Sequence, residues 1–201
     1  MSRLSENRTV RESSGSSPPL AEFSLEERRI LLGVAHQSIV SAFNAGTPEA
    51  AFSPHLSDPR GVFTTLYLDG DLRGCVGYAM AIAPLCRAVF ETARAAAFED
   101  SRFLPVTEEE APRLEVSLSV LSRLFPIQPE EVEVGRHGLV IGLGVRRGLL
   151  LPQVPVEYDW DRETFLEQTC RKAGLSIDAW RKGATLEAFT AEVFGDGDIS
   201  S

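Results

Sequence analysis

Arg73 and Cys75 are the two residues in this chain whose types and spacing most directly suggest chemistry. They follow an apolar run, residues 61–68, and an Asp69-Gly70 dipeptide, which is typical of tight β-hairpins because glycine tolerates a positive φ. On the returning strand, residues two apart share a face, so a guanidinium lies beside a thiol and favours the reactive thiolate. The alternative is a cysteine that only fills space. On the chemistry alone this alternative ranks first, because free cysteine is among the most often buried residue types.

Gly74 and Gly77 lie on the same predicted strand as Cys75. Glycine weakens a strand and leaves no side chain to pack, so two of them indicate the close approach of another backbone or of a ligand. We therefore count both glycines as candidate ligand-binding positions.

Four segments of the chain resemble, in the same order, motifs of the AMMECR domain family, also met as protein A of the AmmeMemoRadiSam system. The first is Leu72 to Gly77, similar to the family's Leu-Arg-Gly-Cys-Ile-Gly, and the others are residues 98–103, 148–157 and 170–175. Four ordered motifs rarely coincide by chance. The resemblance spans residues 23–195, and its departures, Val76 for Ile and Ser101 for Pro, change no reactive group.

A cluster of charges, Glu99, Asp100 and Arg102, lies between two phenylalanines directly after a predicted helix. Such a cluster is usually a solvated turn. The family resemblance implies instead that Asp100 and Arg102 line a ligand site and that Glu99 carries a proton there.

The segment Pro152-Gln153-Val154-Pro155 predicts a rigid turn, because proline cannot donate to a sheet ladder. A turn at that position exposes Gln153 and Glu157 at a sheet end. Gln153 either orients a polar ligand or holds the loop together, and the residues alone leave both readings open. By family analogy, Glu157 is a second candidate proton carrier.

Composition restricts the function classes. The chain has 20 Lys and Arg against 29 Asp and Glu, a formal net charge of -9, which disfavours non-specific nucleic-acid binding.

The three cysteines, Cys75, Cys86 and Cys170, have no CxxC spacing, and no signal peptide or membrane span is apparent, so we expect free thiols in the cytoplasm. Cys86 and Cys170 fall on or beside apolar helix stripes and are expected to be structural. The three histidines are far apart and predict no metal site.

The order of elements predicts an α+β fold with largely antiparallel strands. We expect helices after Ser24, after Pro84 and around residues 165–173, and strands at 114–120, within 139–151 and at 189–193. Residues 1–22 are Ser-rich and predict a disordered tail, and 196–201 an acidic tail. The resemblance implies that residues 23–195 form one domain of two lobes with a cleft between them. The larger lobe then uses both chain ends, and the smaller lobe covers roughly residues 81–145.

Two function classes remain open at this point. The first is an enzyme or a component of a modification system, with Cys75 as nucleophile or attachment point and Arg73 as anion clamp and thiol activator. The second is a non-catalytic adaptor in which these residues are structural and Arg73 braces Glu99, Asp100 or Glu157. We favour the ligand-binding role for Arg73. The family's association with a Memo-type dioxygenase-like protein and a radical-SAM protein fits either class, and the sequence names no cofactor and no substrate.

Overall fold

The computed structural model describes residues 21–44 and 53–199. Its helices are α1 (Leu25–Val40), α2 (Pro54–Ser57), α3 (Leu85–Phe98), α4 (Gln153–Glu157), α5 (Arg162–Lys172) and α6 (Asp196–Ile199). Its strands are β1 (Val62–Leu68), β2 (Asp71–Tyr78), β3 (Leu114–Leu121), β4 (Phe125–Pro126), β5 (Gly138–Leu143), β6 (Arg146–Leu150), β7 (Thr185–Phe189) and β8 (Ala191–Gly195). The predicted α+β class is confirmed.

The first sheet has the strand order β2-β1-β3-β8, with every neighbouring pair antiparallel. The predicted hairpin joins β1 to β2. Asp69 and Gly70 form its turn with φ of 53° and 88°, the left-handed values that favour Asp-Gly at a two-residue turn. A β-bulge after Leu66 leaves Arg73 without a cross-strand partner, and β2 forms the edge of the sheet.

Helices α1 and α3 cover one face of this sheet. The helix α1 begins at the predicted capping box of Ser24 and Glu27, and α3 begins directly after Pro84. The buried residues of β1, namely Val62, Thr64 and Leu66, alternate with half-buried ones, so these three residues share the face that the helices cover.

The second sheet has the strand order β4-β7-β5-β6, and α5 packs against β5 and β6. Helix α5 ends as its sequence predicts. Gly174 adopts a φ of 69°, and its amide and that of Leu175 bond back to the carbonyls of Arg171 and Cys170, the Schellman arrangement. A separate hydrophobic core lies beneath this sheet and includes Phe165, Leu166 and Cys170.

The chain passes between the two sheets twice, at Ser122 and at Thr190. The amide of Ser122 donates to the carbonyl of Thr190 at 2.8 Å, and the amide of Thr190 donates to the Ser122 hydroxyl at 3.0 Å. The single strand predicted around residues 189–193 is therefore two strands, β7 and β8, in different sheets. Alternation of apolar residues continues across Thr190, so periodicity alone could not reveal the crossing.

The grouping of residues differs from the predicted lobes. Helix α3 and strand β3, inside the predicted smaller lobe of 81–145, pack in the core of the first sheet, whereas the second sheet draws on β4 to β7. The cause is the long-range pairing of β3 with β1, which leaves no local signal in the sequence. A cleft between the lobes remains a prediction.

Three further segments differ from expectation. Residues 153–157 form the short helix α4 rather than a turn, because Pro155 lies in its first turn, where its missing donor costs nothing. The predicted acidic tail contains α6, and Asp196 accepts hydrogen bonds from the Val116 amide at 2.7 Å and from His36 at 2.9 Å. Of the predicted N-terminal tail, residues 1–20 lie outside the described chain, whereas Glu22 pairs with Arg60. No helix within the described ranges is long and apolar enough to cross a membrane.

Candidate functional site

Cys75 lies on the edge strand β2, on the face of the first sheet that the helices do not cover. Its neighbour Gly74 is buried against α3, where an added Cβ would lie 2.1 Å from the carbonyl oxygen of Ala96. Because successive residues of a strand point to opposite faces, the side chain of Cys75 points away from α3. The residue is half-buried, and its sulfur accepts a hydrogen bond from Thr65 Oγ1 at 3.4 Å.

The main chain of Cys75 is held from outside the sheet by Asp100 and Arg102. Its amide donates to Asp100 Oδ2 at 2.9 Å, and its carbonyl accepts from Arg102 Nη2 at 3.3 Å. The two side chains also pair with each other, at 3.0 Å and 2.7 Å. This pair therefore occupies the position that a further strand would take beside Cys75 and closes the sheet edge there.

The electrostatics of this pair are strong and local. The Arg102 guanidinium, together with the amide of Cys75, holds the pKa of Asp100 well below its usual range despite burial. Asp100 in turn raises the pKa of Arg102, and the Cys75 thiol adds a smaller contribution in the same direction. Arg102 is thus a guanidinium within electrostatic reach of the Cys75 sulfur, a role that the sequence pattern assigned to Arg73.

Arg73 is engaged elsewhere. Its Nε and Nη2 donate to the two carboxylate oxygens of Glu110 at 3.2 Å and 3.0 Å, and Nη1 donates to the Leu104 carbonyl at 2.8 Å. Its side chain is only 14% exposed. Arg73 also lowers the pKa of Glu110, aided by the amide of Thr107. The guanidinium fork is therefore already occupied by a carboxylate of the protein.

Glu110 was not among the predicted brace partners Glu99, Asp100 and Glu157. The sequence contains a signal, because Thr107 and Glu110 have capping-box spacing. The structure shows the two reciprocal bonds of that box, at 3.3 Å and 2.8 Å, closing the turn that presents Glu110 to Arg73.

Protein groups already lie close to the two candidate glycines. Gly74 allows the backbone of α3 to approach β2, as described above. At Gly77, an added Cβ would lie 2.3 Å from the ring of Phe63, which packs directly over the bare backbone. Both glycines have a packing reason in this structure, and a ligand contact at either one stays a prediction.

The other predicted residues take no part in the hydrogen bonds of this cluster within the described chain. Glu99 lies at the C-terminal end of α3. The pKa of Tyr78 is raised mainly by burial, then by its hydrogen bond with Glu91, and to a smaller extent by the negative charge of Glu99. Glu99, Gln153 and Glu157 are exposed, and their side chains form no hydrogen bond or ion pair with another residue in 21–44 or 53–199. The 148–157 motif and the hexapeptide Leu72 to Gly77 are linked through Phe63, which packs against Gly77 and shares one small core cluster with Leu149 and Leu151.

The remaining cysteines are buried, as expected. Burial raises the pKa of the Cys86 thiol to about 12, and burial likewise raises the pKa of Cys170. Cys75 is the accessible thiol of the described chain.

The chain is similar to proteins of one family. The protein-family model described as AMMECR1 matches residues 32–194. A protein of Methanosarcina barkeri is 43% identical over 148 residues, covering 71% of this chain and 73% of that protein. One from Aquifex aeolicus is 39% identical over 178 residues, covering 83% and 91%. The crystal structure of an uncharacterised protein from Pyrococcus horikoshii has a TM-score of 0.63 at 39% identity and covers 82% of this chain and 89% of that one.

Proposed function

We propose, from the premise that this chain belongs to the AMMECR1 family, that it is an enzyme or a component of a modification system that acts through the thiol of Cys75. One observation carries the proposal: the accessible thiol of the described chain lies on an edge strand whose main chain is fixed on both sides of the cysteine. A nucleophile benefits from such fixation, because its position is established before the reactant arrives.

The chemistry that this site supports best is nucleophilic transfer. The thiolate attacks an electrophilic carbon of the substrate, and a leaving group departs with the bonding electron pair, which yields a thioester or thioether on Cys75. A second acceptor then displaces the thiolate and restores the enzyme. Among the described residues neither Glu99 nor Glu157 forms a hydrogen bond with the thiol, so we assign neither of them the proton transfer.

Arg102 is the ligand-binding cation of this proposal. Its side chain is 56% exposed, and within the described chain its Nη1 has no hydrogen-bond partner. An exposed guanidinium beside a thiolate favours substrates with a carboxylate or phosphate near the reacting carbon. Iodoacetate is anionic and iodoacetamide is neutral. We therefore expect the ratio of the alkylation rate by iodoacetate to that by iodoacetamide to be higher at Cys75 than at free cysteine.

Brief alkylation of the folded protein, followed by mass-spectrometric mapping, tests the proposal. We expect Cys75 to be labelled first, ahead of Cys86 and Cys170, and Cys75→Ala to abolish the early labelling. First labelling of Cys86 or Cys170 overturns the proposal. The Arg102→Gln variant should reduce the preference for iodoacetate while labelling by iodoacetamide continues.

A specific contact favours a second candidate, the non-catalytic adaptor. Arg73 is occupied by Glu110 and the Leu104 carbonyl, and these contacts support a bracing function for this part of the motif. In this alternative the hexapeptide and its neighbours form a rigid surface for a partner, for which a Memo-type dioxygenase-like protein and a radical-SAM protein are the family candidates.

Size-exclusion chromatography of the chain mixed with each candidate partner tests the adaptor. Co-elution with either partner that is unchanged in Cys75→Ala supports the adaptor, and wild-type protein that elutes separately from both partners contradicts it. The thiol chemistry is tested by the alkylation experiment.

A further inference from the structure

Thr65 and Cys75 face each other across β1 and β2 in a pairing that brings side chains close together. The amide and carbonyl of Cys75 bond outward, to Asp100 and Arg102, so this is a pair without main-chain hydrogen bonds between its members. In antiparallel sheets such pairs have the shorter Cα separation, about 4.5 Å. The hydroxyl of Thr65 is consequently within hydrogen-bonding distance of the sulfur, at 3.4 Å.

The Thr65 hydroxyl has no other hydrogen-bond partner among the described residues. Its neighbour Thr64, on the opposite face, bonds Thr92 at 2.8 Å within the core and has a structural role. Thr65 is half-buried on the uncovered face, where a hydroxyl could equally well be hydrated. The direction of its bond, from the hydroxyl to the sulfur, is the one that stabilises a negative charge on the sulfur.

Resting on the proposed function above, we propose that Thr65 is a positioning residue for the Cys75 thiolate. Its hydroxyl donates to the sulfur, stabilises the thiolate over the thiol and restricts the side chain of Cys75 to one orientation. Thr65 touches no reacting carbon, so its contribution passes entirely through the sulfur.

Ser117 provides a matched control. It lies opposite Thr65 on β3, on the same face and one strand further from Cys75. Its side chain is half-buried and forms no hydrogen bond with another described residue. Removing its hydroxyl therefore alters the polarity of the face without removing a bond to the sulfur.

The experiment is the rate of Cys75 alkylation by iodoacetamide across pH 5 to about 10, for the wild type, Thr65→Val, Thr65→Ser and Ser117→Ala. Valine preserves the shape of threonine, so folding should be retained, and urea melts verify that it is. A hydrogen bond to a charged group is worth a factor of about ten in an equilibrium constant, so Thr65→Val should slow alkylation about three- to tenfold near neutral pH. Its rise in rate should move to higher pH, whereas Thr65→Ser and Ser117→Ala should follow the wild type.

A profile for Thr65→Val that superimposes on the wild type overturns the inference, and so does an equal shift in Ser117→Ala. These results differ from a failure of the proposed function. If the proposed function fails, Cys75 of the wild type is not the first thiol labelled, and substitutions at Thr65 do not change that result.

Discussion

The guanidinium of Arg73 and the carboxylate of Glu110 form a two-bond fork that ties the edge strand β2 to the turn before β3. Two backbone carbonyls, of Leu104 and Pro105, take further bonds from the same guanidinium. Arg73 therefore braces the loop that follows Asp100 and Arg102. Two sets of contacts therefore act on the segment between α3 and β3. The Arg73–Glu110 pair braces it, and Asp100 and Arg102, called here the clamp, hold the main chain of Cys75. The position of the thiol depends on both.

The Arg73→Ala variant should lose considerable stability. Both partners are mostly buried, with 14% and 23% of their side chains exposed, and truncation leaves the Glu110 carboxylate without its cation. We expect a loss of about 2 to 4 kcal/mol in the free energy of unfolding, near the lower part of the range for breaking a buried pair because some exposure remains. Urea melts with an unchanged m-value measure it.

Arg113→Ala is the control for this variant. Arg113 pairs with Asp69, but both side chains are more than half exposed, so we expect a change within about 0.5 kcal/mol. If Arg73→Ala is as mild as Arg113→Ala, the brace carries no energy, and Arg73 would be available for a ligand.

The Asp100→Asn variant tests the clamp on Cys75. The carboxylate is 7% exposed and accepts from both the Cys75 amide and Arg102. An amide in its place retains one acceptor and loses the charge, so we expect a loss of about 1 to 3 kcal/mol at neutral pH. The neutral control is Asp71→Asn, because Asp71 is an exposed aspartate on β2, the strand that carries Cys75.

Acid titration gives the same variant a second readout. The pKa of Asp100 is lowered in the folded state, so its stabilisation is complete above the unfolded-state pKa and disappears as the pH falls toward the folded-state value. The difference in stability between wild type and Asp100→Asn should therefore shrink on acidification below pH of about 4. A difference that stays constant down to pH 2 contradicts the assigned ionic role.

Gly74→Ala and Gly33→Ala should change stability in opposite directions. A Cβ at Gly74 meets the backbone of Ala96, which cannot yield without a shift of α3, so we expect a loss of at least about 2 kcal/mol. At Gly33, on α1, nothing lies within 4 Å, and alanine should add up to about 1 kcal/mol through helix propensity. Thermal melts of both variants check the pair. A Gly74→Ala protein as stable as the wild type would show that the space beside β2 is open, as a ligand site requires.

Local chemistry in the sequence predicted much of this molecule. The Asp69-Gly70 turn, the capping box of α1 and the Schellman end of α5 each depend on residues adjacent in the chain, and the structure has all three. Cys75 on the returning strand of a hairpin follows from the same local signals.

The partners of the site residues could not be predicted in the same way. Glu110 is 37 residues from Arg73, and the bulge that leaves Arg73 without a cross-strand partner is a property of strand register, not of composition. The same limit explains why the bond from Thr65 to the Cys75 sulfur and the bond from Arg102 to the Cys75 carbonyl could not be predicted. Periodicity indicates which face a residue occupies, but it does not indicate which distant residue faces it.

His55 should make the stability of the protein fall as the pH rises above about 6.5, the pKa of an unperturbed histidine. Its Nδ1 lies 2.8 Å from Glu27 Oε1, and chiefly this hydrogen bond raises the pKa of His55, although burial opposes the shift. A raised folded-state pKa means that the stabilisation is complete below the unfolded-state value and is lost as the pH rises through the folded-state value. Because the side chain is about one-third exposed, the contribution should be only about 0.5 kcal/mol.

The measurement is the free energy of unfolding of the wild type and of His55→Gln at a series of pH values, compared as a difference. The difference removes the effect of His137, whose pKa is lowered by burial and which therefore opposes folding as the pH falls. Glutamine retains a donor for Glu27 but does not titrate, so the excess stability of the wild type should be greatest at pH of about 6 and should diminish as the pH rises. His55 also stacks on Phe23, with ring centroids 4.9 Å apart. A difference in unfolding free energy that is the same at every pH would come from this packing alone and would contradict the ionic role.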